Sequence, residues 1–277
     1  MATITPTLTA IGNEPPGDGL CLFFFDPRYE FYPAGPGSAL GYCNSTQMLG
    51  YVPPRGMEVP APATIDGIPG AYLGIGFDVK GNFSTTNDGK PGKTILGTEN
   101  AAMTSCTMAT LNPNSICVRT GELSSYRIFS TTPNLSTYGI MSPTLSGHER
   151  YSQSPPIVLH QQVTSRDDIT FQSVKATIQN DGKRIKVEIK SPIDGLYYPY
   201  QVVDLPGGFE NRDGIELYKV PTTIRAGLAF STSNSVMNCE VKNFSVQGHF
   251  AEYSKVNTLL SPSISAKYKV VLSGDCP

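Results

Sequence analysis

Short apolar runs broken by Gly, Pro, Ser, Thr and Asn recur along the whole chain, and no window of about a dozen residues carries a helical period. The pattern predicts an all-β protein. After a Thr-rich first strand, Leu20-Cys21-Leu22-Phe23-Phe24-Phe25 is apolar without interruption, which predicts a central strand covered on both faces and ended by Asp26-Pro27. In Gly70-Ala71-Tyr72-Leu73-Gly74-Ile75-Gly76-Phe77-Asp78 the bulky Leu73, Ile75 and Phe77 alternate with Gly74 and Gly76. One face of that strand is therefore bulky, and the other is open to close approach by another backbone. Weaker strands are predicted near 115–119 and 126–129. Positions 171–178 and 184–189 alternate apolar and polar, and Asn180-Asp181-Gly182 joins them as a hairpin with a two-residue turn. Segments 222–231 and 239–248 read as a further strand pair, linked by the polar loop Thr232-Ser233-Asn234-Ser235.

Composition narrows the class. With 277 residues, 27 Gly and 23 Pro, the chain is long enough for one large sandwich domain. A net charge of −2, with Lys and Arg dispersed, offers no footprint for nucleic acid or an anionic membrane. The N-terminal segment lacks a basic region followed by an apolar core, and no run of about 20 apolar residues occurs. The expectation is synthesis in the cytoplasm, with no signal peptide and no membrane insertion. Cys21, Cys43, Cys106, Cys117, Cys239 and Cys276 form no C-x-x-C pair, and His148, His160 and His249 lie far apart, so structural zinc is not expected. The thiols read as small buried hydrophobes in a reducing compartment, with an even count that leaves disulfides open. The sequons at Asn44, Asn82, Asn134 and Asn243 are expected to stay unmodified without a secretory route.

Candidate chemistry gathers where the Gly-rich strand ends. Asp78, the Lys80 carbonyl and Asn82 are spaced to converge on a cation or a sugar hydroxyl; the alternative is a Gly81-Asn82 turn that needs no ligand. Asp18, within Pro16-Gly17-Asp18-Gly19, has a similar alternative as a turn held by its own side chain. The segment from Pro33 to Tyr42 is a Gly-rich loop without the phosphate-binding pattern. Tyr197, Tyr198 and Tyr200 read as loop tyrosines, suited either to stacking on sugars or to anchoring an oligomer interface. An enzyme is disfavoured, because glycosidic hydrolysis needs paired carboxylates. Glu188 stands alone between apolar neighbours; Glu210, Asp213 and Glu216 fall in a Gly-rich loop; and there is no nucleophile elbow.

Four motifs, in order, carry a resemblance. Gly17-Asp18-Gly19-Leu20-Cys21-Leu22-Phe23-Phe24 resembles the Asp-Gly signature of legume-type (L-type) lectins, and Gly37-Ser38-Ala39-Leu40-Gly41-Tyr42 resembles their Gly-Gly-x-Leu-Gly loop. Gly76-Phe77-Asp78 with Asn82 resembles their metal-binding strand, and Ile224-Arg225-Ala226-Gly227-Leu228-Ala229-Phe230-Ser231 resembles the strand before their variable sugar loop. The resemblance implies a concanavalin A-like jelly-roll sandwich of two antiparallel sheets. It further implies that Asp18 accepts hydrogen bonds from sugar hydroxyls, that Gly37 donates its backbone N–H and Asn82 its amide, and that Ser231, Thr232, Ser233 and Asn234 tune specificity. Asp78, the Lys80 carbonyl and Asn82 would ligate Ca²⁺, completed by Asn87 or Asp88. Two departures reduce the ligand charge: Gly76 replaces the family's first acidic ligand, and Asn87 stands where an aspartate is expected.

Few strands precede Asp18 compared with that family. The expected organisation is therefore a sandwich over 1–250, with a tail at 251–277 that completes it or pairs with a neighbouring subunit. The Pro-Gly-Asp-Gly turn with its Phe-rich strand, the segment from Gly67 to Ser84, and Pro113-Asn114-Ser115-Ile116-Cys117-Val118-Arg119 resemble lectin-like structural proteins of marine viruses and phages. That resemblance implies a non-enzymatic virion component on a capsid, fibre or tail, made in the host cytoplasm. Its partners would be other virion proteins, further copies of itself and host-surface glycans. A free lectin, or a glycoside hydrolase or polysaccharide lyase on the same fold, is the alternative.

Overall fold

The computed structural model describes residues 2–11, 17–47, 63–85, 111–124, 126–137, 154–163, 165–179, 184–204, 221, 223–232 and 237–247. Its strands are β1 (Ala2–Ile11), β2 (Gly19–Phe25), β3 (Ser45–Gln47), β4 (Ala63–Ile65), β5 (Ala71–Asp78), β6 (Ser115–Thr120) and β7 (Ile128–Thr131). Then come β8 (Gln161–Val163), β9 (Val174–Gln179), β10 (Arg184–Lys190), β11 (Tyr197–Asp204), β12 (Arg225–Ser231) and β13 (Met237–Val246). Only single 3₁₀ turns interrupt them, so the described chain is all-β, as the missing helical period predicts.

Two sheets carry the fold. One runs β12-β2-β5-β6-β7 with every pair antiparallel. The other runs β11-β10-β9-β1-β13, also antiparallel, with the short β8 lying parallel to the end of β1. A small ribbon of β3 and β4 stands apart from both. Leu22 and Phe24 of β2 and Leu73 and Ile75 of β5 join Val174, Ile185, Val187 and Ile189 of the opposite sheet in one buried cluster. Each such side chain contributes roughly 1.5–3 kcal/mol of burial, which is what holds the sandwich closed.

A second apolar layer covers the other face of the five-stranded sheet. There Cys21, Phe23 and Phe25 pack under Leu40, Tyr42, Ile68, Phe83 and Tyr126 from the loops. The uninterrupted run in β2 is thus buried on both faces, residue after residue, as its composition requires. The small face of β5 is covered by rings rather than by another backbone: a Cβ at Gly74 would meet the Tyr42 ring at 2.5 Å, and one at Gly76 the Phe83 ring at 2.3 Å.

Two expectations are corrected. β12 and β13 do not pair with each other; β12 pairs with β2 and β13 with β1, so the chain crosses from one sheet to the other between them. Ala226 and Leu228 of β12 and Met237, Cys239, Phe244 and Val246 of β13 then pack on the common core from opposite sheets. Tyr197, Tyr198 and Tyr200 lie in a strand rather than a loop, because β11 is a sheet edge and an edge tolerates Pro199. Tyr197 is exposed, whereas Tyr200 is a core residue whose hydroxyl donates to the Pro155 carbonyl at 2.6 Å. The hairpin turn at 180–182, the tail at 251–277, and Cys106 and Cys276 lie outside the described residues.

Candidate functional site

At one end of the five-stranded sheet the register aligns Ser231, Gly19, Asp78 and Ser115 across β12, β2, β5 and β6. Gly19 is required there: its φ is +145°, and a Cβ would lie 2.2 Å from the Phe77 carbonyl oxygen. This close approach lets the Asp18 carbonyl accept hydrogen bonds from the Val79 and Lys80 amides at 3.0 and 3.3 Å. Residues 79–85, which follow β5, are thereby tied to the start of β2.

Three further clamps order this loop. The buried Asp78 carboxylate accepts from the Gly81 N–H at 2.8 Å, from the Ser84 N–H at 2.7 Å and from the Ser84 hydroxyl at 2.7 Å, and Ser84 Oγ lies 2.8 Å from Ser115 Oγ. The Phe83 ring fills the hollow above Gly76. Arg119, fully buried on β6, donates to the Phe83 carbonyl at 2.7 Å, to Thr85 at 2.8 Å and to Tyr126 at 2.8 Å, with its guanidinium 4.9 Å from the Phe83 ring centre. A buried guanidinium stays charged and so needs such acceptors. Beneath it, Tyr42 donates its hydroxyl to the Thr120 carbonyl at 2.9 Å, and burial raises its pKa well above the usual phenol value, keeping it a donor.

Asp18 and Asn82 meet at the centre of this arrangement. Asn82 Nδ2 donates to Asp18 Oδ1 at 2.8 Å, and Lys80 Nζ stands 3.8 Å from the same oxygen. Asp18 is 0% exposed, while Lys80 and Asn82 reach the surface. Asp18 Oδ2 and Asn82 Oδ1 are both buried without a hydrogen-bond partner. Each orphaned acceptor costs about 1–3 kcal/mol, so the pair is primed for two donors.

The other expected residues gather nearby with one difference in chemistry. The Gly37 N–H donates to Ser231 Oγ, so the Gly-rich loop is bonded to the end of β12 instead of presenting a free donor. Thr232 abuts the Asp18 turn, since a Cβ on Gly17 would lie 3.2 Å from its Cα. Ser233, Asn234, Asn87 and Asp88 lie outside the described residues.

Among the described residues, the side chains expected to hold a cation are already engaged by other protein groups. Asp78 carries three donors on its carboxylate, and the Lys80 ammonium already stands beside Asp18. Among the described residues no three His, Cys, Asp or Glu side chains cluster. Calcium takes about 6–8 oxygen ligands, and among the described residues the unpartnered oxygens here are two, Asp18 Oδ2 and Asn82 Oδ1. Glu188, for its part, is ion-paired with Lys186 at 2.8 Å and Lys175 at 3.3 Å.

No protein-family model matches the chain, and no curated protein matches it in sequence. A solved structure of lectin I-B4 from Griffonia simplicifolia, in its metal-free form, superposes with a TM-score of 0.39 at 14% sequence identity. The match covers 87% of this chain and 71% of that one.

Arg119, Phe83, Ser84 and Ser115 were not singled out by the sequence reading. A signal existed for Arg119, a lone charge closing an otherwise apolar strand at Ile116-Cys117-Val118. Ser84 ends the Gly-rich segment as an ordinary polar residue of the sequence, and its hydroxyl is buried against Asp78.

Proposed function

We propose that this chain is a carbohydrate-binding, lectin-like module without catalytic activity, carried as a structural component of a virion. The observation that carries the binding part is the pair of orphaned acceptors, Asp18 Oδ2 and Asn82 Oδ1, on side chains already bonded to each other. Neighbouring hydroxyls of a sugar are neutral, closely spaced donors, and they satisfy both acceptors without adding charge to a buried site. Ordered loops at a sheet end, with Lys80 and Asn82 partly exposed, supply the preorganisation that favours such binding. The non-enzymatic part is supported by the carboxylates themselves. Asp78 is engaged by the loop, Glu188 is paired with two lysines, and Asp26 is held by the Arg28 guanidinium.

The virion part rests only on the likeness of the Pro16-Gly17-Asp18-Gly19 turn, its Phe-rich strand, the segment 67–84 and the segment 113–119 to motifs of lectin-like viral structural proteins. A virion protein meets glycans after release from the host cytoplasm, and its partners are copies of itself and other particle proteins. Among the described residues β7, β11, β12 and β13 end their sheets, and strands at sheet ends suit assembly.

The test is binding to a glycan array and to surface polysaccharides, comparing wild type with Asp18→Ala and the isosteric Asp18→Asn, with thermal melts as folding controls. Saturable binding lost in folded Asp18→Ala is expected. A folded wild type that binds no glycan, with Asp18→Ala merely less stable, would make the Asp18–Asn82 pair a latch for the loop. For the assembly part, light scattering is expected to show oligomers, and a strict monomer at high concentration would remove it.

A further inference from the structure

We infer that this site works without a divalent cation, protein cations and backbone donors doing what an ion would otherwise do. For glycan binding the inference rests on the carbohydrate reading above; for the metal it stands on the geometry alone. An ion at such a site has two tasks: to neutralise the carboxylates and to order the loop that presents Asn82. Both are already performed by this chain.

Neutralisation comes from Lys80. Its ammonium lies 3.8 Å from Asp18 Oδ1, close enough for an ion pair and positioned to repel a second positive charge. Asp78 is neutralised differently, by three hydrogen bonds from Gly81 and Ser84 that point partial positive charge at both of its oxygens. An ion at that carboxylate would compete with the donors that fix the turn.

Order comes from Arg119. Its guanidinium is buried against the five-stranded sheet and grips the carbonyls of Phe83 and Thr85, just beyond Asn82. With the Phe83 ring seated over Gly76, the loop is fixed at 83 and 85 from below, at 79 and 80 by the Asp18 carbonyl, and at 81 and 84 by Asp78. Asn82 stands between these anchors, and its amide is held by Asp18.

The experiment measures calcium content after dialysis and melting temperature in CaCl₂ and in EDTA, for wild type, Lys80→Arg, Lys80→Met and Lys80→Asp. Wild type and Lys80→Arg are expected to retain no calcium and to melt at the same temperature in both buffers. Lys80→Met is expected to melt lower than wild type by the same amount in each buffer. Lys80→Asp is expected to melt lowest in EDTA and to regain stability in calcium. Calcium retained at one ion per chain by wild type, or a saturable calcium-dependent rise in its melting temperature, overturns the inference. So does a Lys80→Met protein as stable as wild type, which decides the matter if Lys80→Asp does not fold. Glycan binding by wild type is expected to be unchanged by EDTA. A wild type that binds no glycan in either buffer removes the carbohydrate reading, while the calcium content and melts still judge the metal inference.

Discussion

Asn82 donates its side-chain amide to Asp18 across the gap between two strand ends, and the bond leaves the second oxygen of each side chain buried and unpaired. The two residues are therefore one energetic unit. Asp18→Ala and Asn82→Ala are each expected to lower stability by about 1–3 kcal/mol. The double variant is expected to fall short of their sum by about 0.5–3 kcal/mol, the range for residues in direct contact. Urea unfolding of the four proteins checks this, and additive effects would show that the pair does not act together.

Gly76 lies on the face of β5 where Phe83 seats, 2.3 Å from where a Cβ would be. Gly76→Ala is expected to push the ring out and lower stability by about 1–3 kcal/mol, as overpacking does. Because Phe83 anchors the loop bearing Asn82, glycan binding is expected to weaken although no presumed ligand-contacting group has changed. Retained affinity with full stability would mean that the Phe83 seat is not what orders the loop.

Arg119 holds three carbonyls from two loops with one side chain. Arg119→Met keeps most of the volume but removes all the donors, with an expected loss of about 2–4 kcal/mol. Arg119→Lys is expected to recover little, since a single ammonium does not reproduce the planar fork. Chemical denaturation of both variants tests this; a stable Arg119→Lys would show that charge alone suffices.

What could be read from the sequence follows from where each signal resides. β2 and β5 were legible because an unbroken apolar run and a Gly-alternating strand are local patterns with few other meanings. The partners of β12 and β13 were not, because sequence proximity suggests a hairpin whereas pairing is decided by which sheet buries each apolar face. Pro199 hid β11, since proline argues against a central strand and only the fold shows that this strand is an edge. Of the candidate site, Asp18 and Asn82 were reached through family resemblance, as a separation of 64 positions lies beyond any local pattern. Arg119 was missed because a charge is normally at the surface, and its burial is explicable only once three carbonyls are seen around it.

His160 supplies a pH dependence away from the site. Its Nδ1 is buried without a partner, and burial holds its pKa below the usual imidazole value of 6.5. The folded protein therefore resists a proton that the unfolded chain accepts, so the unfolded state binds more protons below about pH 6.5. Stability is expected to be at its full value above that pH, to decline as pH falls from about 6.5 to the lowered native value, and to stop declining from this cause below it. His160→Phe removes both the titration and the unpaired nitrogen, and is expected to be as stable as wild type at neutral pH, or more so, with a shallower decline on acidification. Urea midpoints between neutral and mildly acidic pH decide it, and parallel curves for the two proteins would assign the acid sensitivity to other groups.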